Sequence, residues 1–394
     1  MSDTPLPIFG TPSQALGTPL AGPLADWTER IRTASHEGRG LRIRGGDTKA
    51  FYGEPLSLEL DVLDTSAHAG IVAYEPTELV VTAKAGTPLA ELESALAEKG
   101  QCLAFEPPRF GPEGTVGGMV AAGLSGPARA SVGAARDFVL GAQLLNGRGE
   151  HLTFGGQVMK NVAGYDVSRL LAGSMGSLGV ITEVSLKVLP VAPSEATLCF
   201  ELPQDRALQQ LARWRAQPLP LNASCWVRDE TESPARELLF VRLRGAVAAV
   251  EAACHRMLGD ALGERMDWQQ AARDWTACRD QTLPFFNAPA DDLGLWRLSV
   301  APTAPVMDLP WSPLVEWHGG LRWVWAPLDA RETLLRASRQ AGGHATLWRT
   351  PASAPDATQR FTSPEAAQLT IQKRLKEAFD PAGVFNPGRW GFGI

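Results

Sequence analysis

The sequence predicts an α+β protein built from two unlike parts, and three observations carry that prediction. At 394 residues the chain exceeds one ordinary domain, so two domains are the prior. Composition breaks once: of 39 glycines, 27 precede residue 190, whereas 11 of 12 tryptophans follow residue 200. Pro190 and Pro193 stand at that break, which places a boundary near residue 195. Helical and strand patterns also mix without the βαβ rhythm of a doubly wound sheet. No GxGxxG opens a helix, which argues against a Rossmann nucleotide site.

Residues 1–24 are rich in Pro, Gly, Thr and Ser, with neither a basic n-region nor an apolar h-region, and read as a poorly ordered extension rather than a signal peptide. From Trp27 to Glu37 a helix leads into a strand, Leu41 to Arg44. Further strands are expected at Leu56–Leu63 and Glu78–Gly86. Thr87-Pro88 opens a helix that carries Leu89, Leu92 and Leu96 on one face and stops at Gly100. Phe138–Leu145 and His151–Phe154 form a hairpin about Asn146-Gly147-Arg148-Gly149. Asp166–Ala172 is a short helix, and Val180, Thr182, Val184, Leu186 and Val188 alternate along a strand.

The second part reads as strand 196–202, helix 205–216, strands 223–228 and 237–244, and helix 246–258. A helical stretch 264–286 follows, then strands near 293–300 and 321–326, helix 329–341 and strand 344–349. Such a run suggests helices on an antiparallel sheet. The domains expected are 25–194, 195–350, and a C-terminal helix and tail 351–394 that returns to the first domain. The helix is Pro364–Phe379, and the tail is locked by Gly and Pro.

Composition excludes several functions. A net charge of −6 without a basic stripe argues against a nucleic-acid partner. No eighteen consecutive apolar residues occur, so no transmembrane helix is expected. The five cysteines are scattered, with no CxxC or other metal-ligand spacing, so no metal or cluster is expected here.

Two stretches carry the chemistry. Arg44-Gly45-Gly46-Asp47-Thr48-Lys49 follows a strand and opens a tight turn. Paired glycines allow positive φ and close approach of a ligand to bare N–H groups. Such an anion nest, with Arg44, Thr48 and Lys49 beside it, suits a diphosphate. The second stretch, Gly114-Thr115-Val116-Gly117-Gly118 on through Gly126 to Gly133, consists almost wholly of small residues interleaved with apolar ones. It reads as a cradle for a large flat ligand rather than a linker.

Together with Gly176-Ser177-Leu178-Gly179-Val180-Ile181-Thr182 and the tail Asn386-Pro387-Gly388-Arg389, these motifs resemble the PCMH-type FAD-binding domains of the vanillyl-alcohol-oxidase superfamily. Finer features are similar to the FAD-binding E subunits of bacterial glycolate oxidases. They are Cys102 to Pro108, Phe154 to Asp166, and Gly342-Gly343-His344-Ala345-Thr346. The resemblance runs from about Ala25 to Arg389. It implies a flavin domain with an antiparallel cap, in an assembly with a second FAD-binding subunit and an iron–sulfur subunit. That assembly oxidises glycolate or a related 2-hydroxy acid and passes electrons toward quinone. Cytoplasmic placement, or a peripheral position on the inner membrane through the partner subunits, follows from the same resemblance.

Carried onto this chain, the resemblance assigns cofactor binding to Arg44, Gly45, Gly46, Asp47, Thr48, Lys49, Thr115, Gly117, Gly118, Gly126, Val180, Ile181 and Asn386. Arg136 and Asp137 belong either to the cofactor site or to an internal ion pair. No histidine lies in the Arg44–Lys49 loop, so FAD is expected to be non-covalent. Asp47 would repel a diphosphate unless its side chain turns away. The superfamily's Glu-His-Gly and His-x-Gly-Asp-Gly-Asn motifs are missing. His344 is left as the candidate general base, against a plain strand histidine. Arg349 and Arg389 are candidate carboxylate clamps, against surface arginines. Tyr165 is placed near a flavin or in the core, and the Trp323–Trp325 and Trp268–Trp275 pairs in the core or a subunit interface. A structural partner that kept the fold but binds FAD weakly or not at all is the alternative function.

Overall fold

The computed structural model describes residues 11–12, 20–56, 59–156, 166–231, 233–355 and 358–394. The Tyr165 assignment, most of the Phe154–Asp166 motif and most of the N-terminal extension lie outside the described residues.

In the glycine-rich half, six antiparallel strands run in the order Thr11–Pro12, His151–Gly155, Val139–Leu145, Val180–Lys187, Val80–Lys84, Ile71–Glu75. Helix Leu89–Ala97 buries Leu89, Leu92 and Leu96 against them. Helix Val116–Ala122 comes so close that a Cβ on Gly117 would lie 2.6 Å from the Ala85 Cβ. Strand Leu41–Arg44 stands apart and pairs in parallel with Asp61–Asp64. The preceding helix, Pro23–Glu37, buries Trp27, Ile31 and Ala34 at helical spacing beside this strand and ends at Gly38 in the left-handed region. Each large apolar side chain so buried contributes about 1.5–3 kcal/mol. The chain's end returns here: Leu41 donates to the Val384 carbonyl at 2.7 Å, and Asn386 to that of Leu41 at 2.9 Å.

The tryptophan-rich half is one antiparallel sheet of eight strands: Gly263–Arg265, Ser194–Glu201, Arg236–Gly245, Leu221–Asp229, Leu314–Glu316, Leu321–Pro327, Leu293–Ser299, His344–Arg349. Helices Gln204–Arg215 and Val247–Asp260 cover its outer face, burying Leu211, Trp214, Val250 and Met257 against Leu198, Leu239 and Val241. The inner face carries Cys225, Leu295, Trp323 and Trp348. It packs on helix Trp268–Asp280 and on Ala122, Leu124, Phe51 and Phe110 of the other half. This inner face is the seam between the two sheets.

Several expectations need correction. The stretch 264–286 is not one helix. It is the edge strand Gly263–Arg265, the helix Trp268–Asp280 capped by Asp267, a left-handed Gln281, and a 3-10 turn Pro284–Phe286. Thr87 does not cap the next helix; Pro88 holds that position, while the Thr87 hydroxyl bonds Gly70 and Lys84. Strands Ile71–Glu75 and Leu314–Glu316 were not expected. One is bulged between Ile71 and Ala73 and the other is three residues long, so neither shows a clean alternation. The strand expected from Leu56 begins at Asp61 among the described residues. Trp268 is 73% exposed, unlike its buried companion Trp275.

Candidate cofactor cavity and domain seam

Strand Leu41–Arg44 delivers the chain to the paired glycines. A Cβ on Gly45 would fall 2.5 Å from the Thr115 hydroxyl, and one on Gly46 would overlap the Glu113 carbonyl. The turn therefore lies flat on segment 113–115, where no side chain is tolerated. Asp47 follows in the left-handed region at φ 56°. Among the described residues, no acceptor takes up the N–H groups of Gly46, Asp47, Thr48 or Lys49. Unpaired backbone donors of this kind need a partner, and they face a cavity of about 310 Å³.

Opposite the turn, Thr115 accepts from the Gly118 N–H at 3.2 Å, which fixes the glycine side of the cradle. Gly118, Ala121 and Ala122 present almost bare backbone to the space. Asn386 closes one end: its Oδ1 accepts from Ile43 at 2.9 Å and its Nδ2 donates to Met175 at 2.7 Å. One side chain thus joins the strand, the glycine block before Gly176 and the tail.

The charges favour an anion. Among the described residues, Arg42, Arg44, Lys49, Arg360 and Arg389 line the cavity against the single carboxylate of Asp47. That carboxylate is turned onto Arg42, at 2.8 Å, and Arg44 pairs with Asp64 at 2.8 Å. Burial draws the Lys49 ammonium down to about 8, partly opposed by Asp280. Burial likewise lowers Arg389 to about 10, with Arg360 and Arg42 adding repulsion. Arg360 donates to the Phe51 and Gly53 carbonyls, yet its buried Nε has no acceptor among the described residues. Unpaired main-chain donors, a bare glycine wall, an orphaned guanidinium N–H and surplus positive charge fit a diphosphate-bearing cofactor such as FAD.

The structure thus gathers Arg44, Gly45, Gly46, Asp47, Thr48, Lys49, Thr115, Gly118, Asn386 and Arg389 around one space, and places the other sequence candidates elsewhere. Gly117 packs on Ala85 and donates to its carbonyl at 2.7 Å. Gly126 packs on the Glu106 backbone. Arg136 and Asp137 are exposed and 3.8 Å apart, and Asp137 accepts from the Ala134 N–H at 2.8 Å. Val180 and Ile181 are buried in the sheet. His344 is exposed at the start of its strand and lines no part of this cavity. Arg349 gives its donors to Gln281 and the Phe286 carbonyl. Arg389 gives its own to the carbonyls of Ala50, Tyr52 and Glu54, so it ties the tail to the 50–54 loop.

A larger cleft, about 840 Å³, opens on the inner face of the eight-stranded sheet beside Trp275, Trp311 and Trp325. Size alone would favour it. Its ionisable lining is Arg228 against Asp229, Glu230 and Asp274, which suits no diphosphate.

No local pattern in the sequence announces the seam. Glu106 receives Arg242 at 2.6 Å and Arg244 at 2.8 Å, with the Arg242 side chain 2% exposed. Burial pushes the Glu106 carboxyl up, but the two guanidiniums override it and hold it below the usual range. Trp317 and His318 both take positive φ, 53° and 55°, a strained pair of the kind that persists only where surroundings enforce it. The Trp317 indole donates to the Gly126 carbonyl at 3.0 Å. His318 bonds Ser224 of its own sheet and Ser131 across the seam, at 3.0 and 3.1 Å. Burial lowers its pKa to about 4.

Arg297 stands in this seam over the rings of Trp317, Trp323 and Trp348, at 5.1, 5.8 and 5.8 Å. Arg129 lies 4.4 Å over Trp317. Neither guanidinium has an ion pair among the described residues. The nearby Glu316 carboxyl is pushed up to about 7 by burial, so it is a weak counter-charge. Tyr52 lines the cavity and packs 4.9 Å from Trp348, which makes the seam and the cavity neighbours.

Comparison with known proteins agrees with this geometry. Residues 22–155 match the FAD binding domain family. The fold is shared with 4-ethylphenol oxidase from Gulosibacter chungangensis, at TM-score 0.66 and 14% identity over 93% of this chain and 87% of that one. D-2-hydroxyglutarate dehydrogenase of Xanthomonas citri pv. viticola is 31% identical over 51% of this chain and 43% of its own length. Glycolate oxidase subunit GlcE of Escherichia coli K12 is 44% identical over 92% of this chain and 95% of its own length. Likeness at that level along nearly the whole of both chains shows that this FAD-binding oxidoreductase chain belongs to the glycolate oxidase subunit GlcE family.

Proposed function

We propose that the chain is a FAD-carrying subunit of an assembly that oxidises glycolate, or a related 2-hydroxy acid, to the 2-oxo acid. The observation that carries this reading is the set of unpaired N–H groups on the Gly45–Gly46 turn. They face a cationic cavity in a chain 44% identical to a glycolate oxidase subunit. Bound FAD supplies an acceptor for the hydride of the substrate's α-carbon.

The chain's own residues hold and orient. The turn and its cations take the diphosphate, and Asn386 fixes the turn against the glycine block. Attachment is non-covalent. Arg297, rather than Arg349 or Arg389, grips the substrate carboxylate, because its donors are uncommitted and the indoles around it exclude water. Neither histidine nor glutamate lines the cavity among the described residues. A second FAD-binding subunit and an iron–sulfur subunit complete the assembly and carry electrons toward quinone. Any membrane attachment comes through these partners, since no helix among the described residues is long and apolar enough to cross a membrane. The rival reading, a partner without cofactor, depends on repulsion by Asp47, and the pairing of that carboxylate with Arg42 weakens its basis.

Anaerobic addition of glycolate to the chain and to its co-expressed assembly tests the proposal. Flavin bleaching is expected in the assembly. Arg297→Gln should raise the glycolate needed for half-reduction about tenfold or more at unchanged flavin content. A flavin spectrum indifferent to glycolate in both preparations would overturn the proposal.

A further inference from the structure

The outer face of the eight-stranded sheet holds a charge that no described residue balances. Arg322, 1% exposed, sits on strand Leu321–Pro327, opposite Val315 on one side and Leu298 on the other. Its Nη2 donates to the Ala304 carbonyl at 2.8 Å. Its Nε and Nη1 are buried without any acceptor among the described residues. No carboxylate among the described residues acts on the guanidinium, and burial lowers its pKa, to about 10. Gln204, first residue of helix Gln204–Arg215, also has a buried Nε2 with no acceptor.

Arg322 and Gln204 line one cavity of about 10 Å³, walled otherwise by apolar side chains, Leu298, Leu309, Trp311 and Val324 among them. The volume admits one ligand of atomic size. An uncompensated buried cation is strongly unfavourable, and all three orphaned groups are donors. A water molecule would accept from them but would turn its own protons toward apolar walls and leave the charge standing. Carboxylates and sulfate are too large. A spherical monoanion accepts from every donor and neutralises the guanidinium, and the positive end of the twelve-residue helix adds to the attraction. We propose that Arg322 and Gln204 form a buried binding site for a halide-class monoanion, chloride in solution. The site is separate from the cofactor cavity and ties helix Gln204–Arg215 and the 301–313 loop to the sheet.

The test is thermal unfolding of the holoprotein in sodium chloride against sodium gluconate at equal ionic strength, together with anomalous scattering from crystals grown in sodium bromide. The unfolding midpoint should rise with chloride and saturate. A single bromide peak should lie within hydrogen-bond reach of Arg322. Gln204→Leu should raise the half-saturating chloride concentration about tenfold, and Arg322→Met should abolish the response. An unfolding midpoint blind to the anion overturns the proposal, as does a water in place of bromide or a full chloride response in Arg322→Met. If Arg322→Met does not fold, the bromide peak and Gln204→Leu decide alone.

Discussion

The cofactor cavity and the domain seam are neighbours built on opposite principles. The cavity is made largely of backbone, bare glycine and the unpaired N–H groups of one contiguous turn, with cations from that turn, its strand and the C-terminal segment. The seam is made of single side chains far apart in sequence, Glu106 against Arg242 and Arg244, Trp317 against Gly126, His318 against Ser131. Ligand recognition through backbone depends on the absence of side chains, so it tolerates almost no substitution. A seam built from side chains distributes its strength and responds to pH.

Four substitutions or titrations would break or sharpen this contrast. The largest effect belongs to Gly46→Val, whose Cβ would overlap the Glu113 carbonyl. Flavin should be absent from the purified variant while the tryptophan fluorescence of the cap sheet is kept. Next is Glu106→Gln, which leaves the buried Arg242 guanidinium without its carboxylate, while the half-buried Arg244 keeps Glu195, and should cost about 3–5 kcal/mol in denaturant unfolding. In the unsubstituted chain the carboxyl is depressed below its usual 4.5. The stability it contributes is therefore complete above that pH and lost as pH falls through the lower folded value.

His318 gives a different acid window. Its folded pKa of about 4 lies below the ordinary 6.5, so only the unfolded chain takes up the proton between them. Stability should fall as pH drops from 6.5 toward 4, by on the order of 3 kcal/mol in all, and His318→Gln should flatten that slope in pH-dependent unfolding curves. Smallest is Asp47→Asn. Removing one half-exposed carboxylate from the cavity should tighten FAD about two- to threefold, read by quenching of flavin fluorescence.

What was legible in the sequence divides along the same line. The Gly45–Gly46 turn, the cradle from Gly114 and the Asn146–Gly149 hairpin are local, because glycine and asparagine are chosen for backbone geometry that neighbours in sequence already imply. Arg42 escaped notice since its part depends on Asp47 turning back toward it. Arg360 and Arg297 escaped because nothing beside them in sequence shows that their donors are uncommitted. Trp317 and His318 adopt left-handed backbone against the preference of both residue types, which only tertiary contacts can impose. The same reasoning explains Arg389: its type suggested a carboxylate clamp, but the 50–54 carbonyls it meets come from the opposite end of the chain.

The position of the cofactor's diphosphate is the central question. A crystal structure of the chain with FAD tests it most directly. Phosphate oxygens should lie about 2.7–3.2 Å from the N–H groups of Gly46 to Lys49, with Gly118 against the cofactor. FAD density in the cleft beside Trp275 and Trp311, or a diphosphate remote from the Gly45–Gly46 turn, would contradict the account.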